Sequence, residues 1–255
     1  MWIDYFRFDG EEITFTRLEH LFPVVDKFYI SEQRYISKGV KKKALYIDTM
    51  RKRFEPYLSK IDFIVEEQQQ EKEQEKEQPD ENVCAGKILA ENSDAQFIVT
   101  VCEVDEIPDV SVMKCVKEGL YNKCAEGCIY MEMPVYYYNL NWRSETQTSA
   151  TAFVVNDILL KEHKEFQKFR EQRGPVFGIF ECGWHFSYFM SIKEILRKLS
   201  WMKLDAEFLS NCIMYGKDLC KRDYVRIVQN SVSASKFPKE FMALHGKTMG
   251  AQFEM

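Results

Sequence analysis

The chain has 255 residues, of which 45% are hydrophobic and 14% aromatic, and its formal net charge at pH 7 is -5. This composition can build one substantial core, so we expect a single globular domain over residues 1–255 and not a disordered chain. The negative charge argues against an extended nucleic-acid surface. No run approaches the roughly 18 apolar residues that a membrane span needs.

The first residues and the cysteines indicate a cytoplasmic protein. A strand-like run, Ile3 to Phe8, begins almost at once after Met1 and leaves no room for a secretory signal. The eight cysteines are scattered, with one close pair at Cys124 and Cys128. This spacing favours reduced thiols over a disulfide framework. We therefore expect a cytoplasmic location and no membrane anchor.

The first third of the chain alternates strand and helix patterns, which is typical of an α/β fold with a parallel sheet. The predicted elements are strands at Ile3 to Phe8, Val24 to Ile30 and Ile61 to Val65, with helices at Thr14 to Leu21 and from Asp48, as its cap, to Leu58. A tract at about 66–81 follows and consists almost wholly of Glu, Gln and Lys. It has little to pack against a core, so we expect a solvated loop or exposed helix end within the domain.

The rest of the chain continues the mixed pattern. The predicted elements are a strand at Phe97 to Val101, a helix from Asp109 to Gly119, a β-prone aromatic segment at Tyr130 to Trp142, a strand at Thr151 to Val155, one exposed charged helix at Asn156 to Arg173, a strand at Val176 to Phe180, and a helix that starts with a capping box of Ser191 and Glu194. There is no P-loop and no G-x-G-x-x-G turn.

Four carboxylates, Glu103, Asp105, Glu106 and Asp109, follow the predicted strand that ends at Val101. In open α/β sheets ligands bind beyond the carboxyl ends of strands. Alternation along an extended backbone would place Glu103 and Asp105 on one side, within reach of one Mg2+ or Mn2+ ion, which takes oxygen ligands and bridges to phosphates. The alternative is a solvated loop with Asp109 as a helix cap, and the spacing alone leaves both open.

Two aromatic segments are further candidates. His185, in Gly183-Trp184-His185, directly follows a strand and could act as a base, bind a metal or donate a hydrogen bond to a phosphate, or lie as a satisfied histidine in the core. The segment Tyr136 to Arg143 combines aromatic, amide and guanidinium groups that could stack on a sugar or a base, or form a strand and its rim.

Several segments, taken in chain order, resemble glycosyltransferase family 17. They are Arg17 to Leu21, Val24 to Glu32, Lys43 to Tyr46, Arg53-Phe54, Val104 to Pro108, Tyr137 to Arg143, Gly183 to Phe189 and Gly216 to Leu219. No single motif decides the resemblance, and the ordered set is what makes it specific.

The resemblance implies a GT-A-like fold, that is, a Rossmann-like mixed α/β sheet flanked by helices, in one glycosyltransferase catalytic domain. It implies transfer, with inversion, from a UDP-sugar to a hydroxyl of a glycan or glycoprotein. UDP-GlcNAc is the family default, and UDP-xylose or another UDP-sugar is an alternative. If the acidic motif acts as in other GT-A enzymes, Glu103 and Asp105 hold Mn2+ or Mg2+ on the diphosphate.

The resemblance also implies residues for the donor and for the general base. The donor contacts expected from its segments are Glu32, Val104, Trp142, Arg143 and Trp184. An inverting transfer needs a base near the acceptor hydroxyl. The candidates flank the second signature, with Glu207 as first choice and His185 as an additional metal or phosphate contact: Glu207, His185, Asp205 and Glu181.

Some positions depart from the family pattern. Glu103 stands where the family usually has Asp, and the Trp, Arg-Glu and Gln-Arg residues expected before the acidic strand are not recognisable. A family histidine expected before Glu207 is absent as well. The Golgi anchor of animal relatives is also missing, which fits a free-standing domain of a microbial or viral system that acts in a host cytosol.

Two other functions use the same residues. A metal-dependent phosphohydrolase or nuclease would use the carboxylates at Glu103 and Asp105 without a preference for UDP. An inactive glycan-binding module would bind glycans without turnover, and the missing family residues motivate this alternative.

Overall fold

The computed structural model describes residues 1–36, 40–67, 81–123, 127–171, 178–222, 225–230 and 237–253. Most of the predicted Glu/Gln/Lys-rich loop and Cys124 lie outside these residues. None of the helices in these ranges combines the length and the apolar composition that a bilayer span requires.

The strands of the described residues form one large sheet and one small hairpin. The strands are β1 (Trp2–Arg7), β2 (Lys27–Gln33), β3 (Tyr35–Ile36), β4 (Val40–Lys41), β5 (Ile61–Glu66), β6 (Ile98–Cys102), β7 (Glu106–Pro108), β8 (Ile129–Tyr137), β9 (Trp142–Asn156), β10 (Gly178–Phe180), β11 (Gly183–Ser187) and β12 (Ile227–Gln229).

Helices connect most of these strands. They are α1 (Ile13–Leu21), α2 (Tyr46–Thr49), α3 (Arg51–Phe54), α4 (Glu81–Glu91), α5 (Val110–Lys123), α6 (Asp157–His163), α7 (Phe166–Glu171), α8 (Ile192–Lys198), α9 (Ala206–Tyr215) and α10 (Lys239–Phe253), with short 3-10 turns at Glu55–Lys60 and Ser200–Met202.

The main sheet has the order β5-β2-β1-β6-β9-β8-β11-β7, and off this path β10 pairs with β8 and β12 pairs with β9. The first four strands of this order are parallel. Counted along the chain within the main sheet, they are its third, second, first and fourth strands, which is how the strand order 3-2-1-4 of the Rossmann fold begins. β9 runs antiparallel between β6 and β8, whereas β11 is parallel to β8. The predicted α/β fold with a Rossmann-like mixed sheet is confirmed.

Side chains of β1 alternate between the two faces of the sheet. Trp2 and Phe6 pack in a hydrophobic cluster with α1 and α10, while Ile3 and Tyr5 pack in a second cluster with α4, α6 and α7. Helices therefore flank both faces, and β1 is buried from Trp2 to Phe6, as expected for a central parallel strand.

Two helix predictions are wrong in detail. The segment predicted as one exposed helix from Asn156 to Arg173 forms two helices, α6 and α7, because Lys164 ends α6 with a left-handed backbone (φ 59°). Its apolar residues Leu160 and Phe166 are buried in the second cluster, whereas Lys161, Glu162 and Glu165 are exposed, so the segment is exposed on its charged side only. Asp48 does not cap its helix, which begins after Leu45.

Other local predictions are confirmed. Ser191 and Glu194 form the capping box of α8. Asp109 precedes α5 and accepts a hydrogen bond from the backbone N–H of Ser111 at 2.7 Å. The short polar side chains satisfy backbone donors at the helix N-termini, which otherwise lack partners.

Gly183, at the start of β11, occupies a position where a side chain does not fit. A Cβ atom there would lie 2.3 Å from the backbone oxygen of Ile107 in the paired strand β7. Relief of this clash requires β7 to move, so we predict that Gly183→Ala lowers the free energy of unfolding by about 1–3 kcal/mol in urea titrations.

Gly86→Ala in α4 is the matched control for this substitution. Nothing lies within 4 Å of the added methyl group, and alanine favours a helix interior, so we expect stability to rise by about 0.5–1 kcal/mol. Equal stability of the two variants would contradict the prediction for Gly183.

Candidate functional site

A cavity of about 360 Å³ opens at the carboxyl ends of the parallel strands, a size that suits a small ligand. It is lined by Arg7, Asp9, Glu11, Glu103, Val104, Asp105, His185, Ser187, Tyr188 and Lys198. Most of these side chains carry charge, and both signs are present. The lining therefore suits an ionic ligand better than an apolar one.

The cavity lies at the point where the strand order of the sheet reverses. Arg7 ends β1, and Asp9 and Glu11 follow that strand, while Glu103 and Asp105 follow β6. β2 and β5 lie on one side of β1, and β6 lies on the other. Open α/β sheets bind ligands in the crevice at such a switch point, so the position of the cavity itself indicates a binding site.

The acidic segment forms a tight turn between β6 and β7. The backbone N–H of Glu106 donates to the carbonyl of Glu103 at 3.1 Å, and the Glu106 carboxylate accepts from the N–H of Glu103 at 3.0 Å. The predicted extended alternation of Glu103 and Asp105 is therefore wrong, because this turn breaks the strand. Both side chains nevertheless line the cavity, with Glu103 exposed and Asp105 half-buried.

Arg17 on α1 fastens this acidic turn to the sheet. Its Nε and Nη2 donate to the carboxylate of Asp4 on β1 at 2.8 and 2.7 Å, and its Nη1 donates to the carbonyl oxygens of Glu103 and Glu106 at 3.2 and 2.5 Å. The Arg17 and Asp4 side chains are fully buried. Burial opposes the charge of Arg17, but Asp4 and Cys102 outweigh burial and raise its pKa above the usual range.

His185 on β11 faces Asp105 in the cavity. Its Nε2 lies 3.7 Å from Oδ2 of Asp105, and β11 is held beside the turn because the N–H of Phe186 donates to the carbonyl of Asp105 at 2.8 Å. Burial disfavours both charges, but their mutual attraction wins: the pKa of His185 is raised and that of Asp105 is lowered. Nδ1 of His185 is buried and has no hydrogen-bond partner among the described residues.

Lys198, the last residue of α8, supplies a second cation. Its Nζ lies 3.5 Å from Glu11, whose carboxylate also accepts from the N–H of Asp9 at 2.7 Å. Burial would lower the pKa of Lys198, but the carboxylates of Asp105, Glu11 and Glu103 outweigh it and raise that pKa. Lys198 is therefore a cation that faces the acidic turn.

Three of the predicted base candidates do not line this cavity. Glu181 is exposed and lies 3.9 Å from Nη2 of Arg143. Asp205 caps α9, and Glu207 is exposed in the first turn of that helix. His185 is the predicted base candidate that the structure brings to the acidic turn.

Glu32, a predicted donor contact, is completely buried behind the cavity wall. Its carboxylate accepts from the backbone N–H groups of Tyr46 and Ile47, at the start of α2, at 2.8 and 2.9 Å. It also accepts from Nζ of Lys42, which donates in turn to Asp9 of the cavity. Glu32 thus supports the site through Asp9 and does not line it.

Of the other predicted donor contacts, one lies at the cavity and three lie elsewhere. Val104 lines the cavity, whereas Trp142, Arg143 and Trp184 do not. The Trp142 ring packs against Gly216, where a Cβ atom would lie 2.4 Å from it. Trp184 packs edge-on against Phe241 of α10, with ring centroids 4.9 Å apart.

The residues present suit a hard divalent cation that takes only some of its ligands from the protein, and not a metal site that the protein closes by itself. No group of three His, Cys, Asp or Glu side chains within the described ranges could hold a metal ion by itself. Glu103 and Asp105 nevertheless bring two carboxylates to one cavity. Mg2+ and similar ions are often held by one or two carboxylates together with substrate phosphates and water, so this donor set is compatible with such an ion.

Sequence reasoning missed more than half of the cavity lining. The residues without a predicted role were Arg7, Asp9, Glu11, Ser187, Tyr188 and Lys198. The positions of Asp9 and Glu11 in the sequence could have indicated a site, because both residues come soon after a predicted strand. No pattern marks Lys198, which reaches the cavity only through the packing of α8.

Comparisons with known proteins support one family. The profile of glycosyltransferase family 17 matches residues 7–207. No curated protein sequence matches the chain. Among solved structures, mannose-6-phosphate isomerase from Helicobacter pylori is similar with 12% identity and a TM-score of 0.37, covering 64% of this chain and 73% of that one. Mannose-1-phosphate geranyltransferase from Thermus thermophilus has 11% identity and a TM-score of 0.35, covering 63% and 58%. Similarities at this level carry no argument about function.

The buried pair of Arg17 and Asp4 generates a prediction about stability. Arg17→Met leaves Asp4 buried without its cation and removes two bonds to the acidic turn, so we expect a loss of about 3–5 kcal/mol in urea unfolding. Arg226→Met is the control, because the Arg226–Glu145 pair is largely exposed and such pairs contribute about 0–1 kcal/mol. Similar losses in both variants would contradict the anchoring role of Arg17.

Proposed function

The chain belongs to glycosyltransferase family 17, and from that premise we propose that it transfers a sugar from a UDP-linked donor to a glycan hydroxyl with inversion. UDP-GlcNAc is the first choice of donor. The observation that carries the proposal is the cavity at the carboxyl ends of β1 and β6, where Glu103 and Asp105 face Lys198 and His185.

A nucleoside diphosphate matches the charges of this cavity. The diphosphate needs cations around its oxygens, and Lys198, His185 and Arg7 bring cationic groups to the lining. The carboxylates of Glu103 and Asp105 would hold Mn2+ or Mg2+, and such an ion offsets the negative charge on the departing diphosphate when it is bound. Without a cation, these carboxylates would repel the donor.

The residues of the chain have separate roles in this proposal. Lys198 binds phosphate oxygens and stabilises the charge that develops on the leaving group. Arg17 and Glu106 hold the backbone of the acidic turn, and His185 orients Asp105. Because Nε2 of His185 faces Asp105 and its Nδ1 is buried, we assign His185 to positioning of the acidic turn and not to proton transfer.

The transfer itself exchanges two bonds at the anomeric carbon. The acceptor oxygen attacks this carbon from the face opposite the diphosphate, the bond to the diphosphate oxygen breaks, and the acceptor proton passes to a general base. Glu207 stays our proposed base, with Asp205 and Glu181 as alternatives. Since these residues do not line the cavity, we expect the acceptor to bind outside the cavity and to reach the donor sugar from there.

A thermal-shift series tests the donor class. We predict that UDP with Mn2+ raises the melting temperature, whereas GDP, CMP and UDP without Mn2+ do so much less. At a ligand concentration of 100 times Kd the expected gain in stability is about 2.7 kcal/mol. A response to all nucleotides alike, with cleavage of phosphate esters, would favour a phosphohydrolase. No response to any nucleotide would contradict the proposal, and glycan affinity without turnover would then favour a binding module.

Asp105→Asn tests the role of the acidic turn. The substitution keeps the size of the side chain but removes a charge proposed to hold the divalent cation, so we expect donor turnover to fall at least about 100-fold. Asp109→Asn is the matched control, because Asp109 caps α5 outside the cavity lining and asparagine also caps helices. Near-normal turnover of Asp105→Asn, measured as UDP release, would remove Asp105 from the proposed site.

A further inference from the structure

Two tyrosines hold an unusual backbone conformation where neighbouring strands end. Tyr138 follows β8 and Tyr188 follows β11, and their φ angles are 64° and 60°. Bulky residues rarely adopt this left-handed conformation because the side chain crowds the backbone, and such strain clusters at functional sites. β8 and β11 are parallel neighbours, so both tyrosines lie at the same edge of the sheet as the cavity.

Tyr138 forms a rigid base beneath Tyr188. It is completely buried, its N–H donates to the carbonyl of Ser187 at 2.8 Å, and its hydroxyl donates to the carbonyl of Lys217 at 2.7 Å. The same hydroxyl accepts from the N–H of Leu219 at 3.2 Å. The rings of Tyr138 and Tyr188 are stacked, with centroids 6.2 Å apart and 25° between their planes.

Tyr188 is the member of this pair that lines the cavity. It is half-buried and belongs to the cavity lining, whereas Tyr138 does not. Charged groups make up most of the remaining lining, and among the residues that the structure describes Tyr188 is its one Phe, Tyr or Trp side chain. The strained backbone and the stacked partner together fix the ring in position.

The position of Tyr188 along the sheet indicates which part of a ligand it meets. In Rossmann-type halves the nucleotide binds at the parallel strands, here β5, β2, β1 and β6, and the acidic turn follows β6. Tyr188 follows β11, on the other side of this turn. A ligand with its nucleotide at the parallel half and its diphosphate at the acidic turn therefore places its sugar toward β11.

We infer that Tyr188 is the surface on which the sugar ring of the donor stacks, and that it helps to select the donor sugar. A pyranose ring presents C–H groups on one face, which pack on an aromatic ring, while its hydroxyl groups remain free for hydrogen bonds. The inference rests on the proposed function, because it requires a nucleotide-sugar in this cavity. It adds Tyr188 to the proposed donor site and assigns it to the sugar, which is the part of the donor that the acidic turn does not recognise.

Calorimetric titration of UDP and UDP-GlcNAc, both with Mn2+, tests this role in the full chain. Tyr188→Asn removes the ring, and asparagine tolerates the left-handed backbone, so local geometry is kept. We expect the affinity for UDP-GlcNAc to fall about tenfold and that for UDP to change less than twofold. Tyr188→Phe keeps the ring and loses only the hydroxyl, which lies 4.0 Å from the Cys220 sulfur, so both affinities should stay within about twofold.

The outcomes separate this inference from the proposed function. If the wild-type chain binds UDP, and Tyr188→Asn lowers the affinity for both ligands equally or for neither, the sugar-stacking role is wrong and the donor site stands. If wild type binds neither ligand, the proposed function and this inference fall together. UDP binding by Tyr188→Asn also reports that this variant is folded. If it does not fold, Tyr188→Leu replaces it. Loss of UDP-GlcNAc affinity in Tyr188→Phe would itself contradict stacking by the ring.

Discussion

The buried ion pair between Arg17 and Asp4 is the interaction on which the site depends. One guanidinium group joins α1, β1 and the carbonyl oxygens at both ends of the acidic turn. A buried cation is costly unless its partners are complete, and here a carboxylate and two carbonyl groups supply them. The turn is thus fixed by backbone contacts, which leaves the side chains of Glu103 and Asp105 directed to the cavity.

The charges around the cavity follow from that arrangement. A fixed acidic turn places carboxylates close together, and close carboxylates repel unless cations offset them. His185 and Lys198 come from β11 and α8, which are distant in sequence from the turn, and their pKa values are raised by the carboxylates that they face. The same balance of charges suits a ligand that carries its own negative charge and a divalent cation.

Much of the fold could be predicted from the sequence, because the βαβ pattern and the helix caps are local signals. The buried strand before Glu103 was recognisable from its apolar run, and the ordered segments indicated the family. The turn at Glu103 to Glu106 was not recognisable from the sequence, since it depends on the distant Arg17. Lys198 and Tyr188 also escaped prediction, because only the packing of α8 and β11 against the acidic turn brings them to the cavity.

We propose that the crevice between β1 and β6 holds the diphosphate of a nucleotide-sugar. A crystal structure of the chain with UDP and Mn2+ would test this placement. We expect electron density for the diphosphate between the acidic turn and Lys198, with the metal ion next to Glu103 and Asp105. A nucleotide bound elsewhere on the chain, with this cavity unchanged, would contradict it.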